Sequence, residues 1–367
     1  MNALASIPRS LGLASSLTAA GGLAATVLAL AVEATGASHI VVFVLSAAAL
    51  AALAIMIGHG TEQLGHRFGP RATGILQSAL GNLPELFIAI FALQAGLVVV
   101  VQTALIGSIL ANTLLVLGLA FLLGGLKNGT QQFHAPAVRS MATLLVLAVA
   151  ALAIPTLATA PGAPDAGHAT DLSVIVSIVL LVIFAASVPF SISGGVGARA
   201  EVEAAPPESI WPLWLTLGLL GLGAGGAALT SDLFVEALRP TMASLRISEA
   251  FVGLVIVAIA GNAVENLVGV QMAVRNKSDL AASLILNSSL QVAIALTPAL
   301  VLISLFVGSG TLTLVLSPLL LGAVALSAIL AALIVFDGES TWLEGLALLG
   351  LYVIIAASVW YGPPIQV

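Results

Sequence analysis

Long apolar runs dominate the chain, and short polar segments separate them. The runs show no strict alternation of apolar and polar positions. About 20 apolar residues let an α-helix cross a bilayer, whereas barrel strands are about half that length and alternate. The pattern predicts eleven spanning helices, over residues 11–32, 37–57, 72–96, 99–126, 139–159, 171–193, 211–231, 247–273, 280–307, 312–335 and 342–361.

Composition supports an all-α polytopic membrane protein, with the lipid bilayer as its surroundings. Of the 367 residues, 60% are hydrophobic and only 7% are charged, which excludes a soluble globular domain. No basic patch suggests a nucleic-acid partner, and the absence of cysteine excludes disulfides and thiolate metal sites. The first run has signal-peptide features, but Leu11 to Val32 is long enough to span, so we predict a first transmembrane helix.

The basic residues predict the orientation of these helices. With the N-terminus in the cytoplasm, eight of the ten lie inside, which is the expected bias of membrane proteins. Without long tails, the chain fits a multi-pass protein of a prokaryotic plasma (inner) membrane. The inside residues are Arg9, Arg67, Arg71, Lys127, Arg139, Arg199, Arg275 and Lys277, and the outside residues are Arg239 and Arg246.

The span count also predicts how the chain is organised. After an N-terminal helix in residues 1–36, ten spans remain, five in residues 37–193 and five in residues 211–367. An odd number of spans per set gives the two sets opposite orientations, as in the inverted repeats of secondary transporters. Residues 194–210 form a cytoplasmic linker with three acids, Glu201, Glu203 and Glu208.

Two of the apolar runs contain the pattern Gly-Asn-x-x-Glu, and the copies lie 180 residues apart. A carboxylate at bilayer depth costs at least about 2–3 kcal/mol, which makes it a functional-site candidate by default. The Asn and Glu are spaced to share one helix face, and calcium favours carboxylate, amide and carbonyl oxygens. The copies are Gly81, Asn82 and Glu85, and Gly261, Asn262 and Glu265; a structural buried acid is the alternative interpretation.

Other residues of the two repeats extend this candidate cation site. Gly81, Gly261 and Pro84 favour helix breaks that release carbonyl groups. Hydroxyls and amides follow in the next span of each repeat, where they serve either as ligands or as bonds between helices. These are Ser108 and Asn112 in the first repeat, and Ser288 and Gln291, with Asn287 and Ser289 beside them, in the second.

Glu62 and Asp232, earlier in each repeat, lie near predicted span ends, either on an ion path or on a solvated rim. The five histidines have no metal-ligand spacing, and surface positions explain them. They are His39, His59, His66, His134 and His168.

With these motifs, the sequence resembles the calcium/proton exchangers of the cation/calcium exchanger superfamily over about residues 55–305. The matching stretches begin at Ala79, Ile106 and Ser248, and the last runs from Arg275 to Ala293. The resemblance implies eleven helices, with one N-terminal helix and two inverted repeats. It also implies that Glu85 and Glu265 bind Ca²⁺ and the exchanged protons. Asn82, Asn262, Ser108, Asn112, Ser288 and Gln291 would line the site, and Glu62 and Asp232 would lie on the approach paths.

The expected function is therefore antiport of Ca²⁺ against H⁺, with no cofactor and no enzymatic activity. Sodium-coupled calcium exchange is an alternative, because Pro84 resembles the sodium/calcium branch and Asn266 and Asn287 differ from the proton-coupled pattern. Two further alternatives stay open: the protein is a passive cation channel, or the transported ion is another divalent such as manganese. Hydrolase and ATPase motifs are absent from the sequence. The oligomeric state is open.

Overall fold

The computed structural model describes residues 13–36, 38–68, 80–133, 136–163, 165–193, 211–308 and 310–361. In chain order the helices are α1 (Leu13–Ala34), α2 (His39–Phe68), α3 (Leu83–Gln94), α4 (Val98–Leu110), α5 (Leu117–Asn128), α6 (Pro136–Ala158), α7 (Ala169–Ser193), α8 (Leu213–Leu245), α9 (Glu249–Phe251), α10 (Ala258–Gly261), α11 (Ala263–Val274), α12 (Ser278–Gln291), α13 (Thr297–Ser304), α14 (Pro318–Asp337) and α15 (Trp342–Tyr361).

Three π-helical segments and one small β-sheet complete the described structure. The segments π1 (Ala111–Val116), π2 (Val252–Val257) and π3 (Val292–Leu296) join α4 to α5, α9 to α10 and α12 to α13. The strands β1 (Gln131–Gln132) and β2 (Glu339–Ser340) pair antiparallel, with Gln131 opposite Ser340.

The helices have the length and composition of membrane spans. Within the described residues, eight are long and apolar enough to cross a bilayer, or nine when the bent helix pair around Asn262 counts as one. Two shorter apolar helices, Thr18–Ala34 and Leu83–Gln94, fall where the sequence predicts the first and third spans. Residues 72–79 of the predicted third span and all of the predicted linker, 194–210, lie outside the described residues. The chain is a multi-pass membrane protein.

Two helices are longer than hydropathy predicts. The helix α2 continues to Phe68 and α8 to Leu245, although the apolar runs end near residues 57 and 231. Glu62 and Asp232 therefore lie within helices rather than after them, and both side chains are exposed. A charged residue ends an apolar run, but it does not end a helix, because its backbone hydrogen bonds are unaffected.

The described chain divides into two compact units. Unit 1 comprises Met1–Phe91 and Val188–Arg246. Its helices α2 and α8 pack through the rings of Phe43 and Phe234, whose centroids are 4.7 Å apart. The helix α1 joins the same unit through a hydrogen bond of 3.0 Å between the hydroxyls of Thr26 and Thr230. Hydroxyl bonds between helices are a common form of association in membranes.

Unit 2 comprises Ala92–Ser187 and Ile247–Val367. Its centre is a close crossing of α4 and π2, where the backbones touch. A Cβ atom at Gly107 would collide with the backbone of Leu254, and one at Gly253 would collide with Thr103 and the carbonyl of Val100. Only glycine permits this approach, and the crossing brings Ser108 of α4 towards the helix break that follows π2.

The predicted tenth span begins later than the hydropathy suggests. Residues 311–317 form a non-helical segment without regular secondary structure, and α14 starts only at Pro318. Side chains of other helices satisfy this backbone: Gln102 Nε2 donates to Val315 O at 2.6 Å, and Thr156 Oγ1 donates to Leu314 O at 3.0 Å. Non-helical backbone at membrane depth is tolerated where protein surrounds it in this way.

Candidate functional site

The second Gly-Asn-x-x-Glu copy lies at a helix break in unit 2. The helix α10 ends at Gly261, Asn262 leaves the helical region with φ −92° and ψ 25°, and α11 starts at Ala263. The helices on the two sides of the break are bent by 62°. Glu265 is in the first turn of α11, where the helix dipole favours a negative charge. The Glu265 side chain lies outside the described part of the structure.

The first copy has the same local form in unit 1. Gly81 and Asn82 form a turn, α3 begins at Leu83, and Leu86 N donates to the Asn82 carbonyl at 2.9 Å. Pro84 lies in the first turn, where its missing N–H removes no hydrogen bond from the helix. Glu85 follows in the same turn and is buried, with 8% of its surface exposed.

A cluster of amides and hydroxyls surrounds the break in unit 2. Asn112 Nδ2 donates to Asn262 Oδ1 at 2.9 Å and to Ser288 Oγ at 3.1 Å. Asn262 Nδ2 donates to Ser108 Oγ and to the Ala258 carbonyl, both at 2.7 Å. We call Ser108, Asn112, Asn262 and Ser288 the amide–hydroxyl cluster. It joins π1, α4 and α12 to the residue at which the helix breaks.

The cluster is buried, and one of its amide oxygens accepts no hydrogen bond within the described residues. Asn112 is 0% exposed and Asn262 is 1% exposed. Within the described residues, no donor lies within hydrogen-bonding distance of Asn112 Oδ1. A buried amide oxygen without a donor costs stability unless it has another role, and coordination of a cation is such a role. Gln291 is also buried, one helical turn after Ser288 on α12.

Two π-helical segments begin beside the cluster. Asn112 is the second residue of π1, and π3 starts directly after Gln291. Such segments occur often at functional sites, because the extra residue in the turn shifts side chains out of the normal helical register. No feature of the hydropathy pattern predicts them.

The remaining predicted residues are not all part of this cluster. Asn82 and Glu85 belong to unit 1, as do Glu62 and Asp232, which are exposed on α2 and α8. Ser289 donates to the carbonyl of Ile285 in its own helix, which is a structural bond. Among the described side chains, no group of three or more His, Asp or Glu residues could hold a metal ion.

Comparison with known proteins identifies relatives over most of the chain. The family model described as sodium/calcium exchanger protein matches residues 38–193 and 215–361. The Ca(2+)/H(+) antiporter of Synechocystis sp. is 35% identical over 340 residues, which cover 88% of this chain and 91% of that protein. The Ca(2+)/H(+) antiporter ChaA of Bacillus subtilis is 33% identical over 320 residues, with 86% and 91% covered. The structure of native YfkE matches with a TM-score of 0.79 at 31% identity, covering 92% of this chain and 98% of that one.

Proposed function

Because this chain belongs to the sodium/calcium exchanger protein family and is a transporter rather than an enzyme, we propose that it exchanges Ca²⁺ for H⁺ across the membrane. The proposal follows the names of the Synechocystis and Bacillus relatives, which are similar over nearly their whole length. The amide–hydroxyl cluster of unit 2 supplies the structural support, since it collects oxygen atoms of the kind that hard cations bind.

The observation that carries the proposal is the buried Asn112 Oδ1, which has no donor within the described residues. It lies in the cluster at the break that precedes Glu265. We propose that the Ca²⁺ ligands are the carboxylates of Glu85 and Glu265, the residues Asn82, Asn262, Asn112 and Gln291, and the hydroxyls of Ser108 and Ser288. Gly81, Gly261 and Pro84 would form the helix breaks, and Glu62 and Asp232 would attract cations along the path.

In this proposal, Ca²⁺ and protons compete for the Glu85 and Glu265 carboxylates. A high proton concentration on one side neutralises the carboxylates and releases Ca²⁺ there. Without either ligand, two ionised carboxylates at one cation site would repel each other, so the empty site is unfavourable. Exchange is then favoured over return of an empty transporter.

The proposed arrangement keeps eleven helices, with an N-terminal helix in residues 1–36 and two inverted repeats in residues 37–193 and 211–367. The two separate matches of one family model, to residues 38–193 and 215–361, support the repeat. The bacterial relatives support a prokaryotic plasma membrane. The distribution of Lys and Arg supports a cytoplasmic N-terminus and a cytoplasmic linker in residues 194–210.

The test is Ca²⁺ uptake by vesicles that contain the purified protein, under an imposed pH gradient without sodium. We expect uptake to stop when the gradient is collapsed. Glu85→Gln and Glu265→Gln should each abolish uptake, because glutamine keeps the size of the side chain but carries no charge and no exchangeable proton.

Asp171→Asn is the matched control, since Asp171 is an exposed carboxylate whose partner is His168 at 3.1 Å. It should transport like the wild type. Full activity of either glutamine variant would contradict the competition mechanism. Uptake that requires sodium inside the vesicles, at constant pH, would instead establish sodium-coupled exchange.

A further inference from the structure

The C-terminal end of α11 accepts hydrogen bonds from two side chains distant in sequence, one at the end of α5 and one on β1. The last carbonyl groups of an α-helix have no donor within the helix. Asn128 Nδ2 donates to the Ala273 carbonyl at 3.1 Å and to the Val274 carbonyl at 3.3 Å, and Gln131 Nε2 donates to Ala273 O at 3.3 Å. We call Asn128 and Gln131 the carbonyl clamp. All four residues belong to unit 2.

Burial, strand pairing and a close contact with α5 hold Gln131 in place. It is 1% exposed, and its backbone is paired with Ser340 in the small sheet. Its amide lies against Gly124 of α5, where a Cβ atom would collide with Nε2. Within the described residues, Gln131 Oε1 has no hydrogen-bond partner. Gln131 thus keeps a buried amide whose oxygen is unsatisfied, which costs stability. An apolar side chain would fill the same space without that cost.

The other repeat has a contact at the corresponding position. The clamp residue Asn128 and its acceptor Ala273 correspond, at the 180-residue offset of the two Gly-Asn-x-x-Glu copies, to Gly308 and Leu93. Gly308 has φ +94°, and a Cβ there would collide with the carbonyl oxygen of Leu93. Leu93 is in the last turn of α3, the helix whose first turn contains Glu85.

Each glutamate-bearing helix is therefore contacted at its far end by residues that follow the third predicted span of the other predicted repeat. At α3 the contact is made by backbone. At α11 it is made by two amide side chains, which mutation can remove one at a time. Because α11 has 12 residues and is about 18 Å long, a displacement of its last turn is carried to its first turn, where Glu265 lies.

We propose that Asn128 and Gln131 are positioning residues for Glu265. By holding the last turn of α11, they keep Glu265 at the position along the helix axis that cation binding requires. The inference rests on the proposed function of Glu265. It assigns a role in ion affinity to two residues that lie more than two helical turns from the amide–hydroxyl cluster along the chain and contact no proposed ligand in the described structure.

The experiment compares Gln131→Met and Asn128→Ala with Gln132→Met in the vesicle assay. Methionine has a similar length to glutamine but donates no hydrogen bond. Gln132 is the matched control, because it lies on the same strand and is exposed on the opposite face. We expect the KM for Ca²⁺ to rise about three- to tenfold in both clamp variants, with Vmax within about twofold of the wild type. Asn128→Gln, which retains an amide donor, should restore part of the affinity.

Hydrogen exchange of the peptide over residues 263–274 is measured on the same preparations. Faster exchange together with a raised KM supports positioning through the helix. A KM equal to that of Gln132→Met overturns the inference, whether or not the exchange rate rises, since the clamp would then be only structural. A wild type that fails to exchange Ca²⁺ for H⁺ overturns the proposed function itself, which separates the two failures.

Discussion

Asn112 takes part in two of the side-chain hydrogen bonds that join the amide–hydroxyl cluster. Its amide donates both bonds, and its carbonyl oxygen remains available for a cation. Asn112 therefore forms the bonds between helices that one interpretation of the sequence requires, and its role as a cation ligand stays a prediction. Residue type and spacing indicated the site, but the direction of each amide depends on tertiary packing, which the sequence alone does not show.

Asn112→Leu separates these two roles, because leucine fills a similar volume without hydrogen bonds. We expect the free energy of unfolding to fall by about 1–2 kcal/mol, since hydrogen bonds between membrane helices contribute modestly. The stabilisation of the protein by Ca²⁺ should fall much further, because a ligand is lost. Thermal unfolding with and without Ca²⁺ measures both effects.

Thr113→Val is the control for Asn112→Leu. Thr113 is also fully buried, but its hydroxyl donates only within its own helix, to the Ile109 carbonyl at 2.7 Å. The Ca²⁺-dependent rise in Tm should be unchanged in this variant. If Ca²⁺ raised the Tm of Asn112→Leu as much as that of Thr113→Val, Asn112 would be excluded as a ligand. It would then serve only as a bond between helices.

At the scale of elements, the apolar runs predicted most helices within a few residues, and the misses have physical causes. Hydropathy measures the preference of side chains for lipid, so it cannot detect a non-helical segment whose backbone is satisfied by other helices. Residues 311–317 are such a segment. The π-helical segments were missed for a related reason, because they change backbone register without changing the apolar character of the run.

The non-helical segment depends on donors and acceptors such as Thr156. Its hydroxyl donates to Leu314 O and accepts from Leu316 N at 2.8 Å. Thr156→Val keeps the shape of the side chain and removes both bonds, which leaves two buried backbone groups unsatisfied. At about 1–3 kcal/mol for each group, we expect the free energy of unfolding to fall by about 2–6 kcal/mol.

Thr143→Val tests whether that loss is specific to the non-helical segment. Thr143 lies on the same helix, α6, but is exposed, and its hydroxyl donates only to the Arg139 carbonyl of that helix. We expect a change within about 0.5 kcal/mol. Equal destabilisation by both variants, measured by denaturant unfolding in detergent, would show that Thr156 does not support the segment.

At the scale of the whole molecule, the two compact units do not coincide with the two predicted repeats. Sequence offset predicts repeats in residues 37–193 and 211–367, whereas unit 1 combines α2 with α8, one from each predicted repeat. The stacked rings of Phe43 and Phe234 show one reason, because the two helices bury apolar surface against each other. Order along the chain records which segments repeat, and burial decides which segments pack.

The inverted arrangement itself is tested by labelling, for which the absence of cysteine makes the chain suitable. Lys127→Cys, Ser244→Cys and Lys277→Cys each introduce a single thiol at an exposed position near a helix end. The predicted topology places three spans between residues 127 and 244, and one span between residues 244 and 277. A thiol reagent that cannot cross the membrane should therefore label Ser244→Cys from outside intact cells.

The other two thiols should react only when the reagent reaches the cytoplasmic side, where the positive-inside rule places both lysines. Each variant must first show wild-type Ca²⁺ uptake, so that labelling reports the native topology. Labelling of all three thiols from the same side would contradict an odd number of spans between them, and with it the inverted repeat. Reversal of all three would retain the repeat but place the N-terminus outside, so that the direction of Ca²⁺ transport would have to be assigned anew.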